Sequence, residues 1–240
     1  MAAPVSRRIP EITTRFWVSK TLITAASVFW PDYLYDHLGR WIATTLLVAA
    51  LATALVVQLR GDRLRPWAFW SAMLAASAVG TEITNGLHVA LGLGYPAIAV
   101  VCLIGGAGLV AAGHATMGIA SLIAVDSRRS EGWFWAIALV AFGIGTALTH
   151  LTPRPILAYP VLQLLLWAVA VAVAAVVLAC RRLGGATTAG FWGVFVLTRP
   201  LGAAVAFLLT NASAAGGLGL ARHAVSAVLT AVLVGSVRYR

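Results

Sequence analysis

Residues 69–85 of the chain read FWSAMLAASAVGTEITN, and three other stretches repeat the plan of this segment. They are residues 16–32 (FWVSKTLITAASVFWPD), 134–150 (FWAIALVAFGIGTALTH) and 191–207 (FWGVFVLTRPLGAAVAF). Each stretch begins with Phe-Trp, has a small residue eleven positions after the Phe, and ends sixteen positions after it on a residue that differs between copies. The small residues are Ser27, Gly80, Gly145 and Gly202, and the last residues are Asp32, Asn85, His150 and Phe207. One structural unit has therefore been copied four times, and the copies have diverged in chemistry.

Composition predicts an integral membrane protein. Hydrophobic residues make up 61% of the 240 residues and charged residues only 10%, whereas a soluble domain carries about 25% charged residues. A bilayer offers no water to the polar groups of the backbone, so spanning segments with runs this long have to be helical. We predict an all-α fold with eight spans, each close to the ~20 apolar residues that a bilayer requires. The spans fall at 13–31, 41–59, 67–87, 93–113, 133–151, 158–180, 190–209 and 218–237.

The arginines predict the orientation of these spans. Eleven basic residues lie in the two terminal tails and in the loops after even-numbered spans, and three lie on the opposite side. Basic loops stay in the cytoplasm, so we expect a multi-pass protein of the inner membrane with both termini cytoplasmic. The eleven are Arg7, Arg8, Arg60, Arg63, Arg65, Arg128, Arg129, Arg181, Arg182, Arg238 and Arg240, and the three are Arg40, Arg154 and Arg222. The net charge of +10 is thus assigned to topology and to contact with anionic lipid, not to nucleic acid.

Each unit is predicted to be a helical hairpin, in which an odd-numbered span leads out and an even-numbered span returns. The four hairpins share one orientation, so an axis along the membrane normal should relate them, with the odd spans next to that axis. The units cover approximately residues 9–60, 66–114, 131–182 and 188–238 of a single membrane domain. We favour an aromatic belt at the membrane interface as the role of the Phe-Trp pairs. Packing in the core of the repeat is the alternative.

Several strings of residues resemble a bacterial family of membrane-anchored proteins, which is built of four tandem two-helix repeats of unknown function. They are Ile9-Pro10-Glu11-Ile12-Thr13, Asp32-Tyr33-Leu34, Gly80-Thr81, Gly145-Thr146, the segment from Leu197 to Ala203 and the segment from Gly216 to Arg222, together with Phe16-Trp17 and Lys20. The resemblance covers nearly the whole chain and implies the same four-unit architecture. It implies no defined activity. The family pattern has an acidic residue sixteen positions after each Phe, and this sequence keeps it only at Asp32.

Charged residues inside predicted spans are the first candidates for function, because each costs about 2.5–3.5 kcal/mol at mid-helix. They are Lys20, Glu82 and Arg199, with Asp32 near the outer end of the first span. At 1.5 Å per residue, Arg199 and Glu82 differ in depth by only about 8 Å, so we expect them to pair. Such a pair would either line a pathway or fix the register of the helices. Pro200, next to Arg199, predicts a kink that frees a backbone carbonyl near a cation.

Histidines at the predicted outer side form a second group of candidates. Imidazole and carboxylate ligands suit divalent transition metals, and His150 and Asp32 are the best pair because they occupy the same position of their units. The histidines have no tight spacing, however, and interfacial packing is the more common role. The set consists of His37, His88, His150 and His223, near Asp32 and Asp36. The sequence therefore indicates no resident cofactor, with a divalent metal as the alternative.

The leading functional hypothesis is a transporter or binding protein for a small solute or ion, with a polar pathway among the odd spans. The pathway residues are Lys20, Asp32, Glu82, Asn85, His150 and Arg199. The alternative is a non-catalytic accessory or scaffold subunit, or a degenerate transporter homologue. An enzyme is the least favoured class, since no nucleophile elbow, phosphate loop or zincin motif is present. The sequence leaves open a homo-oligomer or a larger membrane complex.

Overall fold

The structure is a computed structural model that describes residues 8–61, 63–118, 124–153, 156, 158–180 and 186–238. Every regular element within these ranges is helical. The helices are α1 (Thr14–Ser27), α2 (Trp30–Leu38), α3 (Arg40–Arg60), α4 (Pro66–Leu91), α5 (Tyr95–Met117), α6 (Arg128–Leu151), α7 (Pro160–Cys180), α8 (Ala186–Thr210) and α9 (Arg222–Arg238), with a 3-10 turn at Ser213–Ala215. Of the basic residues that determine the predicted topology, Arg7, Arg154, Arg181, Arg182 and Arg240 lie outside the described residues.

The length and composition of the helices indicate a membrane protein. Four of them are long and apolar enough to cross a bilayer, namely α3, α5, α6 and the Thr188–Thr210 part of α8. Two shorter apolar stretches, Pro160–Ala175 and Arg222–Gly235, belong to α7 and α9. Helix α4 has 26 residues but is not among these four candidate spans. It carries several polar side chains, which are buried inside the protein. The length and composition of the helices thus agree with an all-helical membrane domain.

The prediction of one continuous helix over 13–31 is wrong. Helix α1 ends at Ser27, and α2 begins at Trp30 after a two-residue break. Pro31 lies in the first turn of α2, the position where its missing N–H group costs nothing and its fixed φ favours a helix start. The 14 residues of α1 extend about 21 Å, less than the ~30 Å of a hydrocarbon core.

Four helices, α1, α4, α6 and α8, form a closed inner ring. Each packs against two neighbours in the order α1, α4, α6, α8 and back to α1. These helices contain the odd-numbered predicted spans, so the structure has the odd spans at its centre. The other four long helices lie outside the ring and present large apolar side chains outward. Examples are Ile42 of α3, Ile104 of α5, Val169 of α7 and Val228 of α9, all more than half exposed.

The even-numbered spans do not pack mainly on the helices that precede them. Helix α3 packs along α4, α5 along α6 and α7 along α8, so each outer helix covers the inner helix of the following unit. The last outer helix, α9, packs along α1 and closes the circle. The two helices of a unit therefore do not pack mainly on each other, as the hairpin prediction required. Instead, the inner helix of each unit is covered by the outer helix of the preceding unit.

The four Phe residues of the Phe-Trp pairs meet on the axis of the inner ring. Phe16, Phe69, Phe134 and Phe191, which we call the Phe tetrad, are at most 2% exposed, and neighbouring ring centroids are 6.1–6.5 Å apart. Each Phe also contacts the Trp of the next unit, at 5.2–5.7 Å between centroids. The aromatic-belt interpretation is wrong for these Phe residues, because they form the core. Since all four lie near helix N-termini, the inner helices are parallel; we call this the Phe end of the ring.

The small residues eleven positions after each Phe explain how the inner helices approach. A Cβ atom on Gly80 would lie 2.6 Å from Cβ of Phe142, and one on Gly145 would lie 2.7 Å from Cγ of Arg199. The same contact recurs where Gly202 faces Thr24. In the first unit, the Ser27 hydroxyl forms a 2.7 Å hydrogen bond with that of Ser77. In all four cases, the small residue of one unit faces the residue eight positions after the Phe of the next unit.

A buried ion pair connects the first described residues to the body of the protein. Nε of Arg8 donates to Oε2 of Glu131 at 2.6 Å, and Nη2 donates to the Gly61 carbonyl at 2.8 Å. The Gln58 amide donates to Oε1 of Glu131 at 2.9 Å. Arg8, Gln58 and Glu131 are all at most 4% exposed. The charge of Arg8 is thus neutralised inside the protein. Arg8 is not one of the solvent-exposed basic residues that determine membrane topology.

We expect Gly145→Ala to destabilise the protein, because the added methyl group would meet the Arg199 side chain and lie 2.8 Å from the Val196 carbonyl. Overpacking of this kind costs about 1–3 kcal/mol. Gly105 is the matched control, because a Cβ there would meet nothing within 4 Å. Thermal unfolding in detergent, followed by circular dichroism, should show a lower Tm for Gly145→Ala only. Equal effects of the two substitutions would contradict the close approach.

We expect Arg8→Leu to destabilise the protein by about 3–5 kcal/mol, because it leaves the buried Glu131 carboxylate without its cation. The double variant Arg8→Leu/Glu131→Leu should recover most of this loss, since no charge then remains buried there. Denaturant titration in mixed micelles measures both, with the exposed Arg129→Leu as the control. A double variant less stable than Arg8→Leu would contradict the pairing.

Candidate functional site

Lys20 lies inside the inner ring, one helical turn beyond the Phe tetrad. Its side chain is fully buried, and its ammonium group donates to the Phe195 carbonyl at 2.5 Å and to Oγ1 of Thr198 at 2.6 Å. The same ammonium lies 4.3 Å from the ring centroid of Phe195 and 5.0 Å from that of Phe142. Lys20 thus joins α1 to α8 and is enclosed by aromatic rings on the Phe side.

Arg199 crosses the ring one further turn along. Its stem starts on α8 in the close contact with Gly145 of α6, and Nη2 donates to Oγ1 of Thr81 on α4 at 2.5 Å. The side chain is only 3% exposed, and its Nε and Nη1 have no hydrogen-bond acceptor among the residues that the structure describes. Arg199 is therefore fixed at both ends, and two of its three nitrogens remain unsatisfied in the interior.

Two acceptors without donors follow on α4, directly after the residue that binds Arg199. Glu82 is 7% exposed, and its Oε1 has no hydrogen-bond partner in the described part of the chain. Oδ1 of the half-buried Asn85 is likewise buried without one there. Residues three and four apart lie on the same face of a helix, so Thr81, Glu82 and Asn85 occupy adjacent positions on α4. Two unsatisfied acceptors thus lie on α4 within about one helical turn of the hydroxyl that receives Arg199.

The expected ion pair between Arg199 and Glu82 does not form. Arg199 uses the Thr81 hydroxyl instead, and Oε1 of Glu82 stays without a partner. The Arg199 side chain reaches Thr81, which directly precedes Glu82, but a helical residue and its successor point about 100° apart around the axis. A nearby residue on the same helix therefore receives the guanidinium. The helix also continues through Pro200, and the carbonyl that meets a cation is that of Phe195.

Aromatic side chains fill the axis between the Phe tetrad and Arg199. Phe142 and Phe195 are fully buried with centroids 5.2 Å apart, and Phe195 also contacts Phe134 and Phe191 of the tetrad. Lys20 is enclosed within this aromatic column. The polar interior, by which we mean the buried and half-buried side chains of Arg199, Glu82 and Asn85, therefore lies beyond the Phe tetrad, toward the opposite end of the ring, which we call the far end.

His150 lies at the far end in a stack of three rings. Its imidazole is exposed and stacks on Tyr95 at 4.0 Å between centroids, with an interplanar angle of 10°. His88 stacks on the same tyrosine at 4.6 Å and has its Nδ1 2.7 Å from the Leu93 carbonyl. The stack fixes the contact between α4, α5 and α6 at the mouth of the polar interior.

Asp32 belongs to a different cluster at the far end. It is an exposed residue in the first turn of α2, where Tyr33 contacts both His37 and His223. Partial burial raises the pKa of the Asp32 carboxyl above its ordinary value, while the nearby Arg222 guanidinium acts in the opposite direction. No group of three His, Cys, Asp or Glu residues within the described ranges is arranged to hold a metal ion. His150 and Asp32 thus have separate neighbours.

The structure also has an open concavity at the Phe end. It is a groove of about 870 Å³ between α1, α4 and α9, lined by residues that include Arg15, Leu22, Trp70 and Leu233. None of the six residues predicted from the sequence to form the pathway lines it.

Sequence reasoning identified the buried charges but missed the groups that receive them. Thr81 and Thr198 hold Arg199 and Lys20, and both hydroxyls also donate to carbonyls of their own helices. The position of Thr81, beside the charged Glu82 in a predicted span, is a signal that could have indicated it. Nothing in the local sequence pairs Glu131 with Arg8, since 123 positions separate them.

Comparisons with known proteins add no assignment. A scan against protein-family models, a search of curated proteins and a search of solved structures each found no match.

We expect Lys20→Met to leave the stability unchanged or to increase it. Methionine fills a similar volume, the Phe195 carbonyl keeps the Thr198 hydroxyl as a donor, and removing a buried charge saves its desolvation cost. Lys20→Ala, which removes the same charge but leaves a cavity, should lower the Tm. Parallel thermal unfolding of the two variants separates charge from packing. A loss of several kcal/mol in Lys20→Met would show that the charge itself holds the ring together.

Proposed function

We propose that this chain is a non-enzymatic protein of a bacterial inner membrane, which binds a small solute or ion in the interior of its inner ring. The binding region comprises Arg199, Glu82 and Asn85, with the stack of His150 at its mouth. In this proposal Lys20 supports the site from the Phe end, and Asp32 lies at its edge, close enough for its charge to act on Glu82. Movement of the solute across the membrane is the activity that such a site would serve.

The main support for this proposal is the buried guanidinium of Arg199, whose Nε and Nη1 are unsatisfied among the described residues. A charged group taken out of water without partners costs several kcal/mol, and buried polar groups in proteins are satisfied in the great majority of cases. A purely structural arginine would be expected to have all of its guanidinium nitrogens hydrogen-bonded, whereas Nε and Nη1 of Arg199 have no acceptor among the described residues. A ligand that accepts from these nitrogens would offset the cost of burial.

The proposed topology has eight crossings with both termini in the cytoplasm. In support, the four outer helices expose apolar side chains, as lipid-facing helices do. In the sequence, most basic residues also fall in the two tails and in the loops after even-numbered spans, which this topology places in the cytoplasm. The first crossing would combine α1 with the segment up to α2. Reporter fusions after residues 61 and 118 and at the C-terminus should all report a cytoplasmic location, and a periplasmic signal at any of them would contradict this topology.

A second candidate function is an accessory or scaffold subunit, in a homo-oligomer or a larger membrane complex. The observation in its favour is the aromatic column of Phe142, Phe195 and the Phe tetrad, whose rings are buried and in contact along the axis of the ring. Transport would require these rings to move. A stable partner retained through gentle purification, together with absence of ligand binding, would favour this function.

Ligand binding is tested by thermal unfolding of the detergent-purified chain against a panel of divalent metals, inorganic anions, carboxylates and amines. A ligand at 100 times its Kd stabilises the native state by about 2.7 kcal/mol, which gives a clear shift of Tm. We expect at least one compound to produce such a shift in the wild type and in the exposed control Arg129→Met. The shift should be lost in Arg199→Met or Arg199→Lys.

Flux of the active compound into proteoliposomes then separates transport from binding alone. A shift that persists without the Arg199 guanidinium, in a variant that keeps its helical spectrum, would contradict the proposed site. Absence of any shift across the panel would favour the accessory function.

A further inference from the structure

The groove at the Phe end has its charged residues at one end of its length. Both charged residues of the described lining, Glu11 and Arg15, lie just before α1 or in its first turn. The lining continues along the same helix to Leu22, which lies about 10 Å deeper than Arg15 at 1.5 Å per residue. Apart from the hydroxyl of Ser19, the side chains of α1 in this deeper part are apolar. The groove thus changes from charged to apolar along the direction of the inner helices.

The deeper part of the groove has a packed floor and exposed apolar walls. Leu233 is buried in the main hydrophobic core, and Leu22 and Trp70 pack against that core. Val18 of α1 and Val232 of α9 are 53% and 55% exposed. Apolar surface is unfavourable in water, whereas acyl chains cover it in a bilayer. Because α9 is an outer helix, this part of the groove is placed where lipid chains reach it.

Two positions of the repeat give the first unit this lining, namely the residue before the Phe and the residue two after it. The first unit has Arg15 and Val18 there, one charged and one branched and apolar. The corresponding pairs of the other units are Ala68 and Ser71, Trp133 and Ala136, and Gly190 and Gly193. Three units therefore pack into the inner ring without an arginine or a valine at these positions, so the ring itself requires neither.

Basic residues outnumber acidic ones at the charged end of the groove. Arg15 is exposed there. Leu64 also lines the groove, and its neighbours in the sequence, Arg63 and Arg65, are exposed as well. Against these three cations, the described lining has one carboxylate, that of Glu11. Guanidinium groups form strong hydrogen bonds with phosphate oxygens, and basic residues at a membrane surface attract anionic lipids.

We propose that this groove binds an anionic phospholipid, with the phosphate at Arg15 and an acyl chain along Val18 and Leu22. A phospholipid in a bilayer has the same order of polarity, since its headgroup lies at the interface and its chains lie in the hydrocarbon core. The volume of about 870 Å³ is within the range of ~300–1,000 Å³ that is usual for ligand sites. A soluble anion would match only the charged end. The site shares no residue with the proposed binding region around Arg199.

The position of the groove gives the lipid a structural consequence. The groove lies between α1, α4 and α9, and α9 is the last outer helix, which closes the circle by packing along α1. A lipid in the groove would contact the first and the last helix of the chain at this closure. A ligand that binds only the native state stabilises it, so the lipid should raise the Tm of the delipidated protein.

The headgroup is tested by native mass spectrometry of the full chain, released from detergent micelles after titration with lipid. Phosphatidylglycerol and phosphatidylcholine with identical acyl chains are compared. We expect phosphatidylglycerol to bind at least fivefold more tightly. Arg15→Gln should weaken phosphatidylglycerol about fivefold, the equivalent of the ~1 kcal/mol that one basic residue contributes near anionic lipid, and should leave phosphatidylcholine unchanged. Arg15→Lys should keep the preference.

The matched control for Arg15 is Arg129→Gln, because Arg129 is an exposed arginine in the first turn of α6, also at the Phe end, and does not line the groove. It should leave both lipids unchanged. The acyl chain is tested by Val18→Trp, which fills the groove from an exposed position and should weaken both lipids tenfold or more. Ile104→Trp, on the outward face of α5, is its control and should change neither.

The other occupants of the groove give different results. Equal affinity for the two lipids, or a preference for phosphatidylglycerol that persists in Arg15→Gln, would overturn the proposal. Displacement of phosphatidylglycerol by an equal concentration of glycerol 3-phosphate would show a site for free phosphate compounds and would also overturn it. A lipid-free dimer that Val18→Trp disrupts would show that a second copy of the chain fills the groove. None of these results bears on the proposed function, which is tested at Arg199.

Discussion

The structure depends on one contact that is made four times, between a small residue of one inner helix and a larger residue of the next. Small residues at such crossings let helix backbones approach in a membrane, where burial from lipid supplies no driving force of its own. Because Gly202 of the last unit meets Thr24 of the first, the contacts close into a ring. Ring closure brings the Phe tetrad together and makes each outer helix the cover of the next unit. No unit can therefore be packed without its neighbours.

The same contact explains why one ring holds such different chemistry. The position eight residues after each Phe is Thr24, Ser77, Phe142 or Arg199, and in every unit its stem packs in a crossing. The backbone geometry constrains the beginning of the side chain, whereas its end extends into the interior. Phe142 contributes to closing the axis, and Arg199 carries charge across to Thr81. Divergence at this position alters the interior and leaves the architecture intact.

The repeat in the sequence predicted the central odd helices, because its period marks equivalent positions before any contact is known. The charges inside predicted spans indicated Lys20, Glu82 and Arg199, and all three are buried. The sequence could not predict that each outer helix covers the following unit, since hydropathy is the same for either arrangement. It placed the Phe residues at the membrane interface because an aromatic belt and an aromatic core have the same composition. The Arg8–Glu131 pair depends on tertiary packing across 123 positions, and no local pattern encodes it.

The position of Arg199 connects binding to the ring itself. Its stem lies in the crossing with Gly145 of the third unit, and its tip hydrogen-bonds Thr81 of the second, although the residue belongs to the fourth. A ligand held by Nε and Nη1 would therefore act on three of the four units through one side chain. Lys20 links the first unit to the fourth one turn away, at the Phe195 carbonyl. Any opening of the aromatic column would have to change the α8 segment between Phe195 and Arg199, which carries both cation contacts. This segment is thus where ligand binding and movement of the inner helices would meet.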